Sequence, residues 1–242
     1  MGRLEVLDLL GAVLVSAPMA LLAWRVRAVT FGGAAAGFAC AVAIYLGAYL
    51  AGIAVLGAAL LLTVLSSRLG GTRKAALAIP EEPHGQRGVG NVLANCLVGA
   101  IGGALAAFST AWSGEAGAIV IVTGIAAGAS DTVASEVGKA YGGQPRAFPT
   151  FRPVLPGTPG AVSGVGTVAG VVAATVIAWP AVLLWLLPPD RIPLIVAACA
   201  AGAFIESALA TRFEARGLVD NHTLNFFNTV CAASLALWWI SR

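Results

Sequence analysis

What this sequence has least of is charge. Only 10% of its 242 residues are Asp, Glu, Lys or Arg, against about a quarter in soluble domains, and 59% are hydrophobic. That balance excludes a soluble globular domain. Metal-ligating residues are also few. There are two histidines, and the four cysteines (Cys40, Cys96, Cys199 and Cys231) form neither a CxxC pair nor a zinc-like spacing with His. All four fall in apolar runs, where they read as small fillers. The net charge is only +3, so no nucleic-acid partner is expected. Long polar stretches are missing as well. The two longest, near 67–88 and 139–160, cannot build a soluble domain, so the chain reads as a single transmembrane domain over 1–242 with two cytoplasmic loops.

What is present is a series of uncharged apolar runs. Crossing a hydrocarbon layer about 30 Å thick takes roughly 20 apolar residues in a helix, and the runs lack the short alternating pattern of a barrel. The expected fold class is therefore all-α, a polytopic integral membrane protein surrounded by a lipid bilayer. Spans are expected near 4–24, 30–48, 49–66, 89–110, 116–138, 161–180, 192–210 and 222–240. That makes about eight, or seven if the uncharged run 31–65 is one long tilted helix. Tyr45, Gly47, Tyr49 and Gly52 mark a tight turn within that run and favour a hairpin. At the start, Glu5 and Asp8 offset Arg3, which does not suit a signal peptide, so this segment reads as the first span.

The basic residues test this count. Under eight spans Arg25, Arg27, Arg68, Arg73, Lys74, Arg87, Lys139, Arg146, Arg152, Arg212 and Arg216 share one face, and only Arg3, Arg191 and Arg242 lie opposite. Excess Lys and Arg mark the cytoplasmic side, which leaves both termini outside. The Ala/Gly-rich composition points to a bacterial plasma membrane. The sequon Asn221-His222-Thr223 would then be cytoplasmic and unmodified. A homo-oligomer is compatible with the sequence.

Polar residues inside the spans gather toward that same face. Asn91 and Asn95 are spaced i, i+4 on one span. Asp131, Ser135 and Glu136 close another, Glu206 stands near the end of a third, and Asn221, Asn225 and Asn228 open the last. Asp131 is eight residues before Lys139, about 12 Å inside the boundary. A carboxylate facing lipid costs from about 2.5 to more than 10 kcal/mol, so the acids are expected to face a shared polar cavity. Blander roles compete. A single Asn in a membrane helix is more often a bond between helices, Gly124 and Gly128 suit a packing face, Glu136 could simply pair with Lys139, and Glu214 and Asp220 read as solvated loop acids.

The stretch KAYGGQPRAFPTFRPVLPGTPGAVSG runs into the next span. Its Gly157, Thr158 and Gly160 could present backbone N–H groups and a hydroxyl to phosphate oxygens, with Ser163 beside them and Arg146 and Arg152 for neutralisation. A tight re-entry turn explains the same glycines. Carboxylates able to hold a divalent cation next to such loops are the equipment for phosphoryl transfer from a nucleotide.

The runs GQRGVGNVLAN, SDTVASEVGKAYGGQPR, TFRPVLPGTPGAVSGVGT, FIESALAT and NHTLNFFNT together resemble the membrane-protein family of plant phytyl-phosphate kinase and animal transmembrane protein 19, in motif order from Phe31 to Arg242. SDTVASEVGKAYG also looks like the D-x-x-A-S-x-x-G-K/R-x-x-G pattern of dolichol and phytol kinases, relatives of the phosphatidate cytidylyltransferases. The resemblance implies a kinase using CTP, or another nucleoside triphosphate, with Mg²⁺ or Mn²⁺, and a prenyl monophosphate such as phytyl or geranylgeranyl phosphate as acceptor. It places Asp131, Ser135 and Lys139 in the shared signature and Arg152, Gly157, Thr158 and Gly160 in the following loop. Glu206 stands where many members have Asp, and Arg152 where Lys is common. The expected site comprises Asp131, Glu136 and Glu206 as catalytic and metal residues. Around them Arg87, Asn91, Asn95, Ser135, Lys139, Arg146, Arg152, Gly157, Thr158, Gly160, Asn225 and Asn228 would meet nucleotide and phosphate. A prenol kinase or lipid cytidylyltransferase would fit the same scaffold. A small transporter would instead need a polar site near the midplane, reachable from both faces.

Overall fold

A computed structural model describes residues 6–71, 73 and 86–242. Arg3, Lys74 and most of the expected loop 67–88 lie outside the described residues. Among the described residues seven helices are long and apolar enough to cross a membrane: α1 Val6–Arg25, α2 Phe31–Arg68, α3 Val89–Phe108, α4 Glu115–Tyr141, α5 Gly164–Leu183, α6 Ile192–Arg212 and α7 Asn221–Ile240. The long α2 is broken at Tyr49, whose φ of 47° and ψ of −139° are not helical. Its two arms, 31–48 and 50–68, fold back on each other. Gly33, Ala34 and Gly37 of the first arm line the same small cavity as Leu56, Leu60 and Thr63 of the second. At the far end of α2, Arg68 donates to the Val26 carbonyl at 3.4 Å. The hairpin is thus present within α2, and the described residues make eight passes.

Helix α4 runs through the middle of the bundle, with 83% of its most apolar window buried. Small residues let its neighbours come close. A Cβ on Gly124 would lie 2.9 Å from the Gly99 nitrogen of α3, and one on Gly166 of α5 would lie 2.6 Å from the Ala134 carbonyl. Such close backbone approach substitutes for the hydrophobic drive that lipid does not supply. Helices α2 and α3 cross in the same way, since a Cβ on Gly47 would lie 2.6 Å from the Gly103 Cα.

The two ends of the bundle differ. One holds the C-termini of α1, α2, α4 and α6 and the N-termini of α3, α5 and α7. Ten described basic residues cluster there: Arg25, Arg27, Arg68, Arg73, Arg87, Lys139, Arg146, Arg152, Arg212 and Arg216. The other end carries the break at Tyr49, an ion pair between Glu115 and Arg191, and five of the six tryptophans: Trp112, Trp179, Trp185, Trp238 and Trp239. Tryptophan favours the membrane interface, which suits that end as the second boundary.

One segment departs from the all-helical expectation locally. The connection from α4 to α5 folds into a three-stranded antiparallel sheet, order β2-β1-β3, from β1 Arg146–Ala147, β2 Arg152–Pro153 and β3 Ala161–Val162. Residues 161–162, expected to begin a span, are strand instead. The helix starts only at Gly164, after Ser163 caps it by accepting from the Gly166 N–H at 3.1 Å.

Candidate functional site

A cavity of about 390 Å³ opens at the basic end among α4, α5, α6, the start of α7 and the sheet-bearing strap. Helix α4 contributes Asp131, Ser135 and Lys139, and α6 contributes Glu206, only 8% exposed. The strap adds Gly157, Thr158 and Gly160. These seven of the expected residues share one cavity although they come from three segments. Asp131 lies eight residues before Lys139 and Glu206 six before Arg212, about 12 and 9 Å deeper than those basic residues at a 1.5 Å rise. Both carboxylates thus sit at a similar shallow depth.

The strap is pinned where it covers the cavity. Gly160 has φ 71° and packs against the Ser207 carbonyl and Thr211 of α6, leaving no room for a side chain. Thr158 is committed to the turn, since its Oγ1 donates to the Leu155 carbonyl at 2.8 Å and its N–H to the same oxygen at 3.2 Å. The hydroxyl expected to receive a phosphate is therefore engaged in shaping the loop.

Several expected residues lie elsewhere. Glu136 is not in the cavity lining and accepts from Lys139 at 3.2 Å on its own helix. Among the described residues no three His, Cys, Asp or Glu side chains converge to hold a metal, so the expected set of Asp131, Glu136 and Glu206 is not assembled. Their spacing explains this. With 3.6 residues per turn, residues five apart on one helix diverge by about 140°. Asp131 and Glu206 remain together, and a Mg²⁺ commonly takes one or two carboxylates plus water and substrate phosphates. That donor pair fits such an ion without Glu136.

Arg87, Asn91 and Asn95 line a second cavity of about 100 Å³ on the opposite side of α4, among α1, α2 and α3. Arg87 works as a staple there. Its Nη2 donates to the Thr63 carbonyl at 3.1 Å and to Ser67 Oγ at 2.6 Å, and its backbone bridges Ala28 and Thr30. Asn95 donates to the Asn91 carbonyl at 2.8 Å and packs on Gly128, where a Cβ would lie 2.9 Å from the Asn95 Cα. Asn225 and Asn228 are buried in α7, and Asn228 Nδ2 reaches the Ala127 carbonyl at 3.4 Å. Asn228 thus ties α7 to α4, while the Asn95–Asn91 bond stays within α3. Arg146 donates to the Phe151 carbonyl at 2.9 Å within the strap, and Arg152 is exposed on β2 outside the cavity lining.

Sequence reasoning missed other lining residues. Glu214 and Asn221 both border the cavity, although Glu214 read as a solvated acid. Asp220 is the N-cap of α7, its carboxylate accepting from the Thr223 N–H at 2.8 Å. Hydrogen bonding from the Thr223 side chain, together with this N–H, holds its pKa below the ordinary carboxylate range. A caps-first reading of D-N-H-T would have found it. Ser163 lines the cavity while capping α5, so the electropositive N-terminus of α5 adjoins it.

Residues 14–233 match the family described as Integral membrane protein DUF92. The chain is 34% identical over 173 residues to an uncharacterised membrane protein of Methanocaldococcus jannaschii, covering 70% of this chain and 68% of that one. It is 33% identical over 176 residues to an uncharacterised membrane protein of Synechocystis, covering 71% and 67%. It is 26% identical over 192 residues to the protein VTE6, chloroplastic, of Arabidopsis thaliana, covering 77% of this chain and 58% of that protein. No solved structure matches. The motif resemblance and the match across almost the whole apolar chain agree, and the chain belongs to the DUF92 family of integral membrane proteins, the family of plant phytyl-phosphate kinase.

Proposed function

We propose that the protein is a membrane-embedded kinase that transfers the terminal phosphoryl group of a nucleoside triphosphate, CTP foremost, to a prenyl monophosphate, giving the diphosphate. One observation carries this reading. A single cavity combines three carboxylates (Asp131, Glu206 and Glu214), a lysine and a glycine-turn strap at its mouth with an apolar interior. The motif resemblance and the similarity to VTE6 support the same reading.

The chemistry suits that lining. A monophosphate has a second pKa near 6, so its oxygen is already a nucleophile at neutral pH and needs no base. That oxygen attacks the terminal phosphorus as the bond to the bridging oxygen breaks, and the nucleoside diphosphate leaves. A divalent cation held by Asp131 and Glu206 would offset the charge brought together by two phosphorylated substrates. Lys139 and the N-terminus of α5 add fixed positive potential, while the strap seated on α6 restricts water at the mouth. The basic residues flanking the cavity support a site on the cytoplasmic side of the membrane, where Lys and Arg are in excess.

The test is to incubate the purified protein with Mg²⁺, labelled CTP or ATP, and a panel of prenols and prenyl monophosphates. A labelled lipid diphosphate formed from the monophosphates supports the reading. No such product overturns it, and product from prenols alone assigns an alcohol kinase instead.

A further inference from the structure

The cavity does not end at its polar residues. Farther along the same helices its walls become apolar and small: Gly170, Val171 and Ala174 on α5, and Val196, Cys199 and Ala200 on α6. Val196 lies ten residues from Glu206, about 15 Å deeper along the helix. The wall is also open on one side. Val171 lines the cavity and is nonetheless 38% exposed, on the apolar outer surface where Val168 and Val172 are exposed as well. The space is thus a slot between α5 and α6, reached from the lipid, with the acids and the strap at its basic end.

We infer that this slot holds the hydrocarbon tail of the acceptor and that Ala174, Val196 and Ala200 set how long a tail is accepted. The inference rests on the phosphoryl-acceptor reading above. A lipid phosphate must keep its chain out of water while presenting its head to Asp131 and Glu206, and the two halves of one cavity meet both demands. The second cavity does not. Its volume is about 100 Å³ and no carboxylate among the described residues lines it, so those residues offer no head-group end. Small side chains are what keep the slot open. An alanine at 200 leaves room that a leucine would fill, at little cost in helix propensity.

Two measurements test this. In the first, geranylgeranyl monophosphate and isopentenyl monophosphate are compared as acceptors for the wild type and Ala200→Leu. The long acceptor's KM is expected to rise about tenfold or more, a loss of about 1.4 kcal/mol, while that of the short one stays within about twofold. Equal rises for both, or no change for the long acceptor, overturn the inference. In the second, wild-type protein is cross-linked to geranylgeranyl monophosphate carrying a diazirine at the tail end. Adducts within 170–174 and 196–200 support the slot, and adducts confined elsewhere overturn it. The second measurement needs neither a variant nor turnover. Adducts in the slot without any diphosphate product would uphold the slot and remove the kinase reading; diphosphate product with adducts elsewhere would do the reverse.

Discussion

Lys139 donates to Glu136 at 3.2 Å, three residues back on α4, with their side chains 28% and 19% exposed. The pair binds Glu136 to its own helix and leaves Asp131 as the acid that α4 presents to the cavity. The two acids should therefore respond very differently to neutralisation. Asp131→Asn is expected to lower phosphoryl transfer about 100-fold or more, as loss of one preorganised charge does. Glu136→Gln removes a helix pair worth about 0.2–0.5 kcal/mol and should cost less than about threefold. Steady-state rates for the two variants decide between this and the three-carboxylate metal set.

Asp131 and Glu206 as the cation-holding pair also predict a metal dependence. Chelation should abolish transfer and added Mg²⁺ restore it, while Glu206→Gln should raise the Mg²⁺ concentration needed for half-maximal rate by about tenfold or more. An unchanged Mg²⁺ titration in Glu206→Gln would take this residue out of the metal's reach. The comparison requires normal folding of the variant, checked by its melting temperature.

Gly160 at φ 71°, seated on Ser207 and Thr211, predicts a mechanical role for the strap. Gly160→Ala forces a side chain into a left-handed backbone and into α6, a strain of about 1–3 kcal/mol. The expected result is a strap lifted from the cavity, seen as faster proteolysis between β2 and β3 and a weaker nucleotide affinity. Gly143, also at positive φ (66°) but with open space around it, should tolerate Ala with only the backbone strain and no loss of strap contact.

Asp220 gives a pH dependence whose sign is fixed by hydrogen bonding from the Thr223 side chain and N–H. These bonds lower the folded-state pKa, so the stabilisation is fully present above the unfolded pKa, near 4, and is lost as pH falls through the folded value. Asp220→Ala should lower the melting temperature at neutral pH, and the gap from wild type should close in strong acid. Asp220→Asn, which preserves an N-cap acceptor, should remain close to wild type at neutral pH.

Orientation is tested by single cysteines in a cysteine-free background. Arg152→Cys and Arg216→Cys should react with an impermeant thiol reagent only from the cytoplasmic side, and Trp185→Cys, 94% exposed at the other end, only from the opposite side. Labelling of Arg152→Cys and Arg216→Cys from opposite sides would contradict the eight-pass arrangement.

Much of the architecture was legible because the physics behind it is local. Uncharged runs give spans, Tyr49 beside glycines gives the turn, and the clustering of Lys and Arg gives the sidedness. The carboxylates Asp131 and Glu206 were legible because their cost in lipid demands a cavity. The asparagines were harder. Spacing shows that Asn91 and Asn95 share a face, but it does not say which neighbour that face meets, and the answer proved to be the small cavity beyond α4. The strap was hidden for a different reason: its two-residue strands are too short for any alternation to register.

Asp131 and Thr132 are neighbours in the chain, yet Asp131 lines the large cavity and Thr132 the small one. One residue of helix corresponds to about 100° of rotation, so the azimuth of α4 determines which chemistry each cavity receives. That azimuth is held by close contacts, with Gly99 on Ile125 and Gly128 on Asn95 along one flank and Gly166 and Gly170 on Ala134 along the other. The glycine seams act as the keyway of a shaft: they carry no reactive group, but they fix the angle at which the reactive group is presented.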